Sequence, residues 1–162
     1  IIRASLRGAK VIAMDIDDKK LLLAQRLGAL HTINSKTEDV HLRLQEITNN
    51  AGPDVVVEAV GSDITYQTAV KEVAFTGRVV CIGYAKTNIE FETKLFVQKE
   101  IDIKGSRNAM PEDFRAVMEY LKRGTCPVEE LITGVYKPEE AQFALEKWAQ
   151  DPGKVFRMLI KF

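Results

Sequence analysis

Short runs of consecutive apolar residues alternate along the chain with longer stretches in which apolar residues recur every three or four positions. The runs AKVIAMD (9–15), HTIN (31–34), DVVVEAVG (54–61), RVVCIG (78–83) and EIDIKGS (100–106) predict strands. The stretches 17–29, 35–52 and 63–77 predict amphipathic helices. Asp17 is the expected N-cap of the first helix and Gly28 its stop. Ser35 and Glu38 have the spacing of a capping box for the second, and Gly77 ends the third. Strands that are apolar throughout, separated by such helices, are covered on both faces. The pattern therefore predicts an α/β fold, a doubly wound parallel sheet, with a looser connection over 84–99 leading to its last strand.

Beyond residue 107 the rhythm changes. A helix over 110–124, with Pro111 near its start, precedes a strand over 130–138. A helix over 138–152, with Pro138 in its first turn, precedes a strand over 154–162. This unit need not belong to the same sheet.

Composition narrows the function classes. Among 162 residues, 23 Lys+Arg balance 23 Asp+Glu, so neither a nucleic acid nor a membrane surface has an evident electrostatic partner here. No apolar run approaches the ~18 residues of a membrane span, and IIRASLRG has no apolar core of a signal peptide. Cys81 and Cys126 are far apart and read as two reduced thiols of a cytoplasmic protein. No clustered Cys/His set offers a structural metal site, and no residue stands out as catalytic.

The candidate chemistry sits at strand ends. Asp15 closes the first strand, where a carboxylate can accept hydrogen bonds from both ribose hydroxyls and repel a 2′-phosphate; it could equally begin a turn. EAVGS (58–62), CIGY (81–84) and KGSRN (104–108) each end a strand in glycine, so a flat ring could lie against the backbone there. Endings that share one edge of a sheet make a crevice, and with Asp15 they indicate a nucleotide site. Arg107 and Arg157 are either surface residues or ligands for pyrophosphate or a substrate hydroxyl. His31 and His41 read as solvated or structural, Phe143 and Trp148 as packing anchors, and SKTEDVHLRLQE as a solvated face. A methyltransferase-like nucleotide domain and a non-enzymatic NAD-sensing module remain as alternatives. One element is out of place. A glycine-rich phosphate loop belongs about 20 residues before such an acidic residue, and only eight residues precede Ala9.

Six segments in order carry a resemblance: GAKVIAMDIDDKKLLLAQRLGALHTINS, GPDVVVEAVGS, GRVVCIGY, KEIDIKGSRNA, ELITGVYKPEEAQFAL and GKVFRMLIKF. Together they resemble the C-terminal half of zinc-containing medium-chain alcohol and polyol dehydrogenases, nearest the sorbitol and L-galactonate-type branches. The resemblance implies a Rossmann-like sheet whose first strand and phosphate loop precede Ile1. Residues 1–107 would be a partial NAD-binding domain, and 108–162 a segment returning to the catalytic domain. IIRASLRGAK would be the back half of the first helix. Asp15 would hold the adenosine ribose and Lys20 approach it. Val60 and Gly61 would line the adenine side, and Ile82, Gly83 and Tyr84 would lie under the nicotinamide ribose and ring. Ser106 and Asn108 would flank the carboxamide through backbone groups, Arg157 would bind pyrophosphate, and Arg107 would reach toward substrate. The cofactor implied is NAD, with zinc held by ligands outside this chain. The substrate implied is a polyol, sugar acid or alcohol. A homodimer or homotetramer would form through the strand at 101–105, and residues 1–162 alone would be inactive.

Overall fold

The computed structural model describes residues 1–124 and 127–162; Cys126, one of the two expected thiols, lies outside the described residues. The chain opens with α1 (Ile2–Leu6), β1 (Ile12–Asp15), α2 (Asp18–Arg26), β2 (His31–Asn34) and α3 (Val40–Thr48). It continues with β3 (Val55–Glu58), α4 (Asp63–Glu72), β4 (Arg78–Cys81), α5 (Lys94–Gln98) and β5 (Asp102–Gly105). Then come α6 (Pro111–Lys122), β6 (Ile132–Tyr136), α7 (Ala141–Gln150) and β7 (Arg157–Ile160).

Every strand pair is parallel, as the uninterrupted apolar runs predict. β1 pairs with β2 and sets Asp15 opposite Asn34. β3, β4 and β5 form a second sheet in which Glu58, Cys81 and Gly105 stand in one row at the carboxyl ends. β6 and β7 form a third, separate pair. Among the described residues β1 and β3 are each paired along one edge only.

Helix starts follow local hydrogen-bonding chemistry. The Asp17 carboxylate accepts from Lys19 N at 2.9 Å and caps α2 as expected. The Ser35–Glu38 capping box does not form. Instead the side chain of buried Asn34 accepts from Lys36 N at 3.0 Å, and Glu38 Oε1 accepts from Asn34 N. This turn takes up 34–38, and Asp39 caps a shorter α3 through Leu42 N at 3.0 Å. A short polar side chain at a strand end offers the backbone a local partner, and here that partner outcompetes the helix. The 84–99 connection contains the short helix α5, which apolar spacing did not predict.

Two small cores position the strands. Ala24 of α2 packs on Ala13 and Ala29, with Val11 against them. Ala69 of α4 and Val73, just past its end, pack on Val79, with Val56, Cys81 and Ile101 around them. The second core covers one face of β3. Val55 and Val57 point the other way and are 53% and 55% exposed, so the strand is not buried on both faces as its sequence implies. In α7 only Ala144 is buried. Phe143 and Trp148 are about half exposed rather than packing anchors, with Phe143 edge-on to Tyr136 at 6.3 Å. His41 is structural, its Nδ1 lying 2.8 Å from Glu72 Oε2 and linking α3 to α4.

Candidate functional site

The carboxyl ends of β3 and β4 are fastened together by one residue. Glu58 is the last residue of β3 and is 3% exposed. Its main-chain oxygen accepts from Ile82 N at 2.8 Å and Gly83 N at 3.0 Å, which curls the end of β4 over it. Its Oε1 accepts from Val60 N at 2.9 Å, Gly61 N at 2.8 Å and Thr65 Oγ1 at 2.7 Å. Its Oε2 is buried with no hydrogen-bond partner among the described residues. A second tie comes from α4, where the Tyr66 hydroxyl donates to Gly83 O at 2.8 Å.

These ties leave no room for side chains at two glycines. Gly61 has φ +81°, and a Cβ there would lie 2.7 Å from Tyr84 N. A Cβ on Gly83 would run into Glu58 Oε2 and Gly61 N. Gly105, the third strand-end glycine, differs: its Cβ would meet nothing within 4 Å. The close-approach argument therefore holds for the first two endings and not for KGSRN.

An open cavity of about 600 Å³ lies over this floor, lined by Val60, Gly61, Ser62, Asp63, Tyr84 and Lys86 among others. Its walls mix exposed apolar side chains, Val60 at 71%, Ile64 at 76% and Tyr84 at 83%, with the polar Ser62, Asp63, Lys86 and Thr87. Apolar side chains gathered around a concave site mark a surface that a ligand covers. Thr87 Oγ1 donates to Asp63 Oδ1 at 3.0 Å and holds the loop after β4 against the start of α4.

Asp15 stands at the carboxyl end of β1. Its Oδ1 accepts from Ile16 N at 2.8 Å and Asp17 N at 3.1 Å, so it begins a turn as one reading expects. That turn aims the carboxylate and leaves Oδ2 available for further donors. Lys20 is partly exposed on the first turn of α2. Ser106 N donates to Cys81 O at 2.9 Å, so this backbone donor is already engaged. Asn108 is exposed with φ +63°, and Arg107 beside it is exposed. Arg157 opens β7 in the separate β6–β7 pair, and its Nη1 donates to Phe156 O at 3.0 Å. No hydrogen bond among the described residues ties it to the crevice.

Burial pushes the Cys81 thiol up, and the nearby Glu58 charge pushes the same way, while a hydrogen bond with Tyr66 pulls it down. The Tyr66 hydroxyl is raised mainly by burial and then by Cys81 and Glu58. Glu58, Thr65 and Tyr66 were not singled out from the sequence. The signal for the first was available, since a carboxylate closes the run of three valines that forms β3. No group of three His, Cys, Asp or Glu that could hold a metal occurs among the described residues.

Comparison with known proteins agrees with this geometry. Residues 1–123 match the family model described as zinc-binding dehydrogenase. An uncharacterised zinc-type alcohol dehydrogenase-like protein of Haemophilus influenzae is 34% identical over 133 residues, covering 82% of this chain and 39% of that protein. Sorbitol dehydrogenase of Bacillus subtilis is 28% identical over 154 residues, covering 93% of this chain and 42% of that enzyme. The crystal structure of benzyl alcohol dehydrogenase from Acinetobacter calcoaceticus superposes with a TM-score of 0.87 at 27% identity, over 99% of this chain and 45% of that one. The chain thus spans about two fifths of the length of its curated relatives. With the parallel α/β architecture in agreement, the chain belongs to the zinc-binding dehydrogenase family.

Proposed function

We propose that this chain supplies the cofactor-binding part of an NAD-dependent, zinc-assisted dehydrogenase that oxidises a secondary alcohol of a polyol or sugar acid. The observation that carries the reading is the pair of glycines, Gly61 and Gly83, held by Glu58 so that backbone alone floors an open crevice. Such a floor suits a flat ring. Bound there, a nicotinamide would supply a hydride acceptor, and zinc, bound outside this chain, would supply a Lewis acid.

In this reading Val60 and Gly61 line the adenine side, and Ile82, Gly83 and Tyr84 support the nicotinamide ribose and ring. Asp15 accepts the ribose hydroxyls through Oδ2, with Lys20 nearby. Ser106 offers its carbonyl and Asn108 its backbone groups to the carboxamide. Arg157 binds pyrophosphate and Arg107 approaches the substrate. Residues 1–107 form the cofactor domain, and 108–162 rejoin the catalytic domain. The protein works in the cytoplasm as a homodimer or homotetramer paired through the strand at 101–105. A polypeptide confined to residues 1–162 has no turnover.

Calorimetric titration of the intact protein with NAD⁺ and NADP⁺, followed by a polyol and sugar-acid panel with NAD⁺, tests the proposal. Tight NAD⁺ binding, weak NADP⁺ binding and NADH production are expected. Binding of NAD⁺ without turnover of any alcohol would favour a sensing module instead. Absence of binding would overturn the nicotinamide assignment.

A further inference from the structure

Glu58 does more than shape the crevice floor. Its side chain is almost wholly buried, yet among the described residues no cationic group or donor meets Oε2. Three donors converge on Oε1, an arrangement that suits an acceptor-only carboxylate. Oε2 lies against Gly83, so close that even a Cβ there would run into it. A buried carboxylate without a counter-charge is costly by itself and is normally paired. Oε2 thus sits beside Gly83, just past the end of β4, without a partner among the described residues.

We propose that Glu58 is a positioning residue of the crevice whose unpaired carboxylate favours a cationic ring over a neutral one, and so favours the oxidised nicotinamide cofactor over the reduced one. This rests on the reading of residues 82–84 as the nicotinamide floor. The oxidised ring carries a positive charge and the reduced ring carries none, so a fixed negative charge beneath the backbone discriminates between them. No contact is needed, because the interaction between the two charges acts at a distance through Gly83. The hydrogen bonds to Val60, Gly61 and Thr65 keep the charge in place while the cofactor exchanges.

The test is equilibrium binding to the intact protein of NAD⁺, NADH and a neutral benzamide analogue of NAD⁺, each measured for wild type and Glu58→Gln. Glutamine keeps the Oε1 acceptor and the shape and removes the charge. Wild type is expected to bind NAD⁺ about fivefold more tightly than the neutral analogue. In Glu58→Gln that margin disappears while NADH affinity is unchanged. A purely structural role would shift all three ligands by one factor, and that result would overturn the proposal. Should the variant fail to fold, the wild-type comparison decides, because equal affinity for NAD⁺ and its neutral analogue refutes the charge effect. Failure of wild type to bind any of the three ligands removes the nicotinamide reading itself, and this proposal falls with it.

Discussion

The Tyr66 hydroxyl donates a 2.8 Å hydrogen bond to the carbonyl oxygen of Gly83, so helix α4 grips the turn that ends strand β4. α4 is itself anchored in the core by Ala69 and, just past its end, by Val73. Tyr66→Phe keeps the ring and removes only the donor. The Gly83 carbonyl then loses its partner and the turn gains freedom. NAD⁺ binding is expected to weaken about threefold, while AMP, which lacks the nicotinamide half, binds as before. Calorimetric titration with both ligands checks this. Equal losses for both would place the effect on the whole fold instead.

The three strand-end glycines are predicted to behave differently. Gly61→Ala forces a side chain into a left-handed backbone against Tyr84, and Gly83→Ala drives one into the Glu58 carboxylate. Each should destabilise by about 2 kcal/mol or more and abolish cofactor binding. Gly105→Ala has open space and no unusual φ, and should stay within about 0.5 kcal/mol of wild type. Thermal melting of the three variants separates the cases. A Gly105→Ala variant as unstable as the others would contradict the geometry.

Much of this arrangement can be read from the residues. The alternation of apolar runs with helical spacing gives the order and type of most elements, because burying a continuous apolar strand leaves few options other than a covered parallel sheet. The Asp17 cap and the Asp15 turn are local and follow from side-chain chemistry. What could not be read depends on contacts distant in sequence. Ser35 and Glu38 have capping-box spacing, but Asn34 is buried by β2 and its side chain claims the turn. Val55 and Val57 look like core residues, yet one face of β3 finds no cover among the described residues. Gly105 matches Gly61 and Gly83 as a letter and not as a conformation. Glu58 was hidden inside a run quoted for its valines and glycine, and its role appears only when β4 returns beside it.

Alkaline pH should weaken the fold through Cys81. Burial raises the thiol, with Glu58 adding to the effect, against the lowering by Tyr66. Between the ordinary thiol value of about 8.5 and the raised folded value, the folded state holds a proton that the unfolded state has lost. The stability this represents is fully present below the unfolded value and is lost as pH rises through the folded one. Cys81→Ala is therefore expected to flatten the decline of Tm between pH 8 and pH 10. In the wild-type protein, alkylation of the thiol should be slow at pH 8 and accelerate at higher pH. Identical Tm profiles for the two proteins would show that the thiol does not titrate differently on folding.

Strand β5 offers the most direct test of the proposed assembly. It pairs with β4 along one edge, and all four of its residues are exposed. An exposed edge of this kind invites pairing with another chain. If two copies meet antiparallel about Ile103, Asp102 of each copy faces Lys104 of the other, so the edge is charge-complementary to itself across a two-fold axis. Within one chain, Arg78 and Lys104 each lie 3.6 Å from the Asp102 carboxylate, and these solvated pairs contribute little alone. Lys104→Asp should therefore dissociate the assembly by placing like charges opposite each other. The paired exchange Asp102→Lys with Lys104→Asp should restore it, because the complementarity is merely inverted. Light scattering coupled to size-exclusion chromatography reads the mass of each variant. A wild-type mass equal to one chain, or a Lys104→Asp variant of unchanged mass, would rule out this edge as the interface.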